Sequence, residues 1–211
     1  MGIPVLIIGR SGSGKSTSLR NFTNNISVIN VLGKRLPFKN KLPTVKSDNY
    51  NDIMAKLAKS SNTSIVIDDA GYLMTNQFMR GHSTTGAGNA IFSFYNDIAD
   101  NFWNLIEFVN NKLPENKIVY FMMHEDRNDF GEIKPKSIGK MLEDKVCIEG
   151  MFTISLRCKD YKFYTQKTDE DVAKTPIGMF DQEEIPNDLK LVDDTIRDFY
   201  DLKNIEIEKE K

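Results

Sequence analysis

Gly9-Arg10-Ser11-Gly12-Ser13-Gly14-Lys15-Ser16 sets a lysine and a hydroxyl at the end of a glycine-punctuated loop. The spelling is G-x-x-x-x-G-K-[ST], and its chemistry is phosphate binding. Glycines let the backbone curl so that successive N–H groups converge on phosphate oxygens. A following helix would add the positive end of its dipole. In that pattern Gly9 through Thr17 cradle a nucleoside triphosphate, Lys15 reaches its β- and γ-phosphates, and the Ser16 hydroxyl ligates Mg²⁺. Downstream, Asp68 and Asp69 end the apolar run Ser64-Ile65-Val66-Ile67. Asp68 is placed to organise the Mg²⁺ shell, and Asp69 to orient or deprotonate an attacking water; the bland reading is two solvated carboxylates. His124 follows Lys117-Ile118-Val119-Tyr120-Phe121-Met122-Met123. It is either a sensor of the γ-phosphate or a surface histidine.

These residues need elements to hold them. Ile3 to Ile8 reads as a strand running into the loop, and Thr17 to Phe22 as the start of a helix. Ile26–Val31 and Ser64–Asp68 read as further strands, the latter apolar throughout, as a buried parallel strand should be. Between them Lys34 to Lys46 is a basic connection broken by Pro37 and Pro43, followed by a short helix over Asn51–Ala58 capped by Ser47 or Asp48. Ile91, Tyr95, Ile98, Phe102, Ile106 and Val109 recur at helical steps, so a long helix is expected up to Pro114. Lys117–Met123 is a fourth buried strand. Beyond it come a polar loop, a short helix near Ile138–Asp144, strands through Val146–Leu156 and Tyr161–Thr165, a helix over Asn187–Tyr200 and a charged tail over Glu206–Lys211. The pattern predicts an α/β fold with a largely parallel sheet, finished by an antiparallel β section. Residues 1–185 form the main domain, and 186–211 a C-terminal helix and tail.

Composition narrows the function. The chain has 211 residues, 40% of them hydrophobic and 27% charged, within the range of a globular protein with a substantial core. Its formal net charge of −2 supplies no global basic field, so any nucleic acid would have to bind local patches. Cys147 and Cys158 have no metal-ligand spacing and suit a reducing cytoplasm. No apolar run reaches membrane-spanning length, and the first residues enter a strand at once, so neither membrane span nor signal peptide is expected.

A glycine-rich phosphate loop, an acid pair ending a buried strand and a further strand ending in a polar residue together resemble the additional-strand P-loop ATPases, the branch with RecA and AAA proteins. Met151-Phe152-Thr153-Ile154-Ser155-Leu156-Arg157 and Ala173-Lys174-Thr175-Pro176-Ile177-Gly178-Met179-Phe180 are similar to segments of small RecA-like ATPases of bacteriophages. The resemblance covers roughly residues 1–185. It implies a RecA-like core, Mg²⁺-dependent ATP hydrolysis coupled to single-stranded DNA, assembly as a ring or filament, recombination or single-strand-binding partner proteins, and the cytoplasm of a host cell. Two segments stand where such proteins carry DNA-binding loops. One is Arg80-Gly81-His82-Ser83-Thr84-Thr85-Gly86-Ala87-Gly88-Asn89, and the other follows His124 with Arg127, Phe130, Lys134, Lys136 and Lys140. Cations neutralise phosphates and an aromatic stacks a base, although Glu125, Asp126 and Asp129 dilute the charge. Arg157 and Lys174 are candidates to complete a neighbouring subunit's site, or else ordinary surface cations. The chain departs from many AAA proteins in having Asp69 where they have glutamate; Glu125 could then assist.

Rival readings leave different traces. A nucleotide kinase would carry an arginine-rich lid, which is missing, and would set its acid-bearing strand beside the first strand. Asp68-Asp69-Ala70-Gly71 satisfies the D-x-x-G of GTPases, but Asn111-Lys112-Leu113-Pro114 lacks the aspartate of N-K-x-D. No L-S-G-G-Q-like signature of a transporter ATPase is present. A nucleotide-gated loading or assembly factor with little turnover is the non-enzymatic alternative.

Overall fold

The computed structural model describes residues 1–39, 41–138, 146–168 and 171–202. Its centre is a mixed, mostly parallel sheet with helices on both faces. In chain order the strands are β1 (Ile3–Gly9), β2 (Ile26–Asn30), β3 (Thr44–Lys46), β4 (Ser64–Asp68), β5 (Ile118–Arg127), β6 (Ile133–Pro135), β7 (Ile154–Lys159), β8 (Lys162–Tyr164) and β9 (Glu184–Pro186). Across the sheet they run β3-β2-β4-β5-β1-β7-β8-β9, with β6 paired to β5 outside that path. Pairing is parallel from β3 through β7 and antiparallel in β7-β8-β9 and β5-β6.

The α-helices are α1 (Tyr50–Lys59), α2 (Tyr72–Gly81), α3 (Asn89–Lys112) and α4 (Leu189–Phe199). Alternation along the strands sorts side chains onto two faces. Leu6, Ile8, Ile65, Ile67, Phe121 and Met123 pack with α1, α2 and α3, including Ile53, Leu73, Phe102 and Ile106. Val5, Ile7, Val66, Tyr120 and Met122 pack on the opposite face with Leu19, Phe22 and the apolar stripe Leu189, Val192 and Ile196 of α4. The C-terminal helix is therefore a layer of the fold, entered through Asp188, whose carboxylate accepts the amides of Lys190 and Leu191.

Several expectations are corrected. The stretch Lys34–Lys46 ends in an edge strand, β3, after its second proline. Tyr72–Gly81 is helical and absorbs Arg80, which pairs with Asp48 (2.8 Å). His82 terminates that helix and stacks on Phe78, so the glycine-rich connection shrinks to residues 82–88. His124 lies inside β5, which runs on to Arg127 and returns through β6: the polar loop is the arm of a β-hairpin. Over 146–156, a 3-10 helix at Ile148–Met151 precedes β7. The helix expected near 138–144, Lys140 and the tail over 206–211 lie outside the described residues, apart from Ile138. No helix among the described residues is long and apolar enough to cross a membrane, and both cysteines are free, Cys147 exposed and Cys158 buried.

Candidate functional site

Strand registers gather the chemistry at one edge of the sheet. Gly9 lies level with His124 and Asn30 with Asp68, so the residues that leave β1, β2, β4 and β5 face a common rim. The loop after β1 is spelled for close approach. A Cβ on Gly9 would stand 2.3 Å from the Cys158 carbonyl oxygen, and Gly14 has φ +110° with the Tyr161 ring against it. Both positions exclude larger residues. Tyr161 also donates its amide to the Ser13 carbonyl (3.1 Å), so the β7-β8 turn braces the loop. Among the described residues, the amides of Gly12, Gly14 and Lys15 donate to no protein acceptor.

Lys15 is buried, and its Nζ donates to the carbonyls of Gly9 (2.6 Å) and Arg10 (2.9 Å). An ammonium has three protons, which leaves one for a ligand. Burial pushes its pKa below the usual lysine value, with Cys158, Asp69 and Asp68 acting the other way. Ser16 Oγ donates to Asp68 Oδ1 at 2.9 Å, joining the loop to the end of β4. The helix that follows is a 3-10 helix, Ser16–Asn21, in place of the α-helix expected. Its six residues align few peptide dipoles, so the site relies on loop amides and Lys15 more than on a helix dipole.

Asp68 and Asp69 are both buried and adjacent. Burial and the Asp69 charge raise the Asp68 pKa despite the Ser16 hydrogen bond. Asp69 sits at φ +61°, a left-handed conformation that aspartate tolerates. Burial opposes its charge, but His124 and Lys34 bonds overcome that and leave its pKa lowered. The contacts are Lys34 Nζ to Oδ2 at 2.6 Å and His124 Nε2 to Oδ1 at 3.5 Å. The Tyr72 ring meets the imidazole edge-on.

Beside the loop opens a cavity of about 400 Å³, bounded by Arg10, Ser13, Glu125, Arg157 and Tyr161. Glu125 holds Arg157 (3.0 Å) and Arg10 (3.4 Å), and Arg157 also meets Asp171 (3.5 Å). Glu125 thus faces two guanidinium groups, and Arg157, mostly buried, pairs with two carboxylates of its own chain. Lys174 pairs by its backbone with Ser155 at the side of β7. On the hairpin, Phe130 is 87% exposed; Arg127 donates to the Gly131 carbonyl and Lys134 meets Glu132. The Lys136 amide donates to the His124 carbonyl (2.7 Å).

The donor set suits a hard cation. A hydroxyl and a carboxylate 2.9 Å apart, with a second carboxylate adjacent, offer oxygen ligands. Among the described residues no group of three or more His, Cys, Asp or Glu could hold a metal alone. Mg²⁺ binds through one or two protein oxygens, waters and substrate phosphates, and the Ser16 hydroxyl with the Asp68 carboxylate is a donor pair of that kind. Sequence reasoning passed over Lys34; its basic, proline-rich setting reads as a linker, and only the fold brings it to Asp69. Comparison with protein-family models and with curated proteins finds no match.

Proposed function

We propose that this chain is a Mg²⁺-dependent ATPase that binds single-stranded DNA as a homo-oligomer, of the kind used in phage recombination or replication. One observation carries the nucleotide site: Ser16, behind a glycine loop and an anchored lysine, touches the acid that ends β4. The sheet order supports the additional-strand branch over a nucleotide kinase, because β5 separates β4 from β1. In this reading Lys15 and the loop amides hold the phosphates, and the adjacent cavity is of a size to take the nucleoside. Ser16 and Asp68 would hold Mg²⁺, whose chemistry is to neutralise charge on the phosphates.

Asp69 accepts the proton of a water whose oxygen bonds to the γ-phosphorus. The bond from that phosphorus to the bridging oxygen breaks, and its electron pair leaves on ADP. The proton passes from Asp69 to solvent. His124 holds Asp69 and senses the phosphate. Phe130 at the hairpin tip, with Arg127, Lys134 and Lys136 nearby, supports contact with bases and backbone of a single strand. Exposed Phe92 and Trp103 on α3 support self-association.

The test is steady-state ATP hydrolysis with and without a single-stranded oligonucleotide at low salt, with Lys15→Ala as blank. DNA-stimulated turnover is the expected result. Hydrolysis indifferent to DNA removes the DNA-linked part of the reading. Binding of ATP with negligible turnover leaves a nucleotide-gated loading factor, and no binding at all overturns the site.

A further inference from the structure

Lys34 enters the acid pair from outside the phosphate loop. Its Nζ lies 2.6 Å from Asp69 Oδ2, while its side chain is 59% exposed and that of Asp69 only 8%. The lysine therefore reaches inward from solvent to a buried carboxylate. The chain takes care over its starting point. Asn30, at the end of β2, is buried and directs its side-chain amide to the turn that carries Lys34. Its Oδ1 accepts the amides of Gly33 (2.7 Å) and Lys34 (3.2 Å), and its Nδ2 donates to the Lys34 carbonyl (2.7 Å). The Val31 amide donates to the Asp68 carbonyl (3.2 Å), which ties the same turn to the end of β4. A turn fixed from both sides presents one flexible cation to one carboxylate.

An exposed ion pair at the surface needs no such arrangement and contributes little. Here the carboxylate oxygens are divided between two donors on different elements. Lys34 takes Oδ2 from the β2 side and His124 faces Oδ1 from β5. With a backbone already in the left-handed region, the plane of the Asp69 carboxylate is set by those two contacts.

We propose that Lys34 is a positioning residue that orients the Asp69 carboxylate toward the attacking water. This rests on the ATPase reading above and deepens it. Lys34 acts through Asp69, so its removal slows the chemical step while the phosphate loop still binds ATP. Misdirection of a reacting group by about 1 Å costs up to about 100-fold in rate.

The experiment measures kcat and KM for Mg·ATP in Lys34→Ala, Lys34→Arg, Asp69→Asn and the Lys34→Ala/Asp69→Asn double variant, each checked by urea unfolding. The expected result has three parts. Lys34→Ala lowers kcat about 10- to 100-fold with KM little changed. Lys34→Arg recovers most of the rate, because a longer cation can still reach the carboxylate. In the Asp69→Asn background, removing Lys34 costs nothing further, since the two act as one unit. A kcat for Lys34→Ala within about twofold of wild type overturns the proposal, as do independent, multiplicative losses in the double variant. A wild-type chain that turns over ATP while either of those holds removes only the role of Lys34. A wild-type chain that does not turn over ATP removes the ATPase reading and this inference with it.

Discussion

Two buried polar clusters flank the same sheet, and they are built on opposite logic. At the start of β4, Asp193 of α4 accepts from Ser64 Oγ (2.7 Å), Tyr120 Oη (2.9 Å) and Arg197 Nε (2.8 Å). Arg197 also donates to Ser64 Oγ and to the Asn116 carbonyl. Each charge is answered within a closed set of buried partners, and burial together with Asp193 keeps the Tyr120 phenol protonated, well above its usual pKa. At the other end of the sheet, Asp68 and Asp69 set like charges side by side, Lys15 keeps a proton free, and the opposing cation comes from the half-exposed Lys34. A closed cluster has nothing left to bind and serves to clamp α4 to the sheet. An open one retains donors and acceptors, which a ligand can satisfy.

Breaking the closed cluster should give the largest effect. Asp193→Ala leaves Arg197 buried without its partner and is expected to cost about 3–5 kcal/mol of stability in urea denaturation. The fraction that remains folded should bind nucleotide as before. A small stability loss would mean that the closed cluster is not what holds α4.

Next comes Lys15→Ala, expected to weaken nucleotide binding about 100-fold, toward the upper end for charge-assisted hydrogen bonds, with the fold intact. Unchanged affinity in a fluorescent-nucleotide titration would sink the assignment of the loop. Asp69→Asn comes third: binding spared, turnover slowed about 100-fold or more, as for loss of a general base. An unaltered rate would take Asp69 out of the mechanism.

The subtlest test asks whether the open cluster costs stability. Asp68 has a raised pKa in the fold, so between the ordinary aspartate range and that raised value the folded chain binds more proton than the unfolded one. Stability without nucleotide then falls as pH rises through that window and stays reduced above it. Asp68→Asn removes this penalty. The variant should melt at the same temperature as wild type or slightly higher at neutral pH, with its advantage vanishing at low pH, while Mg²⁺-dependent nucleotide binding is lost. Clear destabilisation at neutral pH would show that Asp68 belongs to the structural kind of cluster.

Local signals in the chain determined the parts that depend on neighbours in sequence. The glycine spacing of residues 9–16, the apolar run ahead of Asp68 and the helical recurrence through Ile98, Phe102, Ile106 and Val109 each follow from backbone freedom or periodicity. They located β1, the loop, β4 and α3. Pairing across long separations decided the rest. β3 is three exposed residues that become a strand because β2 offers them an open edge. α2 is preceded by Gly71, which offers no side-chain cap, so nothing local announces it; Leu73 and Met74 are helical because the sheet buries them. β5 runs past His124 because β6 folds back on it. Lys34 and Asp69 lie 35 positions apart along the chain, and their contact exists only because β2 pairs with β4 in a register that sets Asn30 beside Asp68. Residue type and spacing thus fixed which groups can do chemistry, since those are properties of a few adjacent residues. Which of them meet was left to sheet order and register, which no short window of sequence contains.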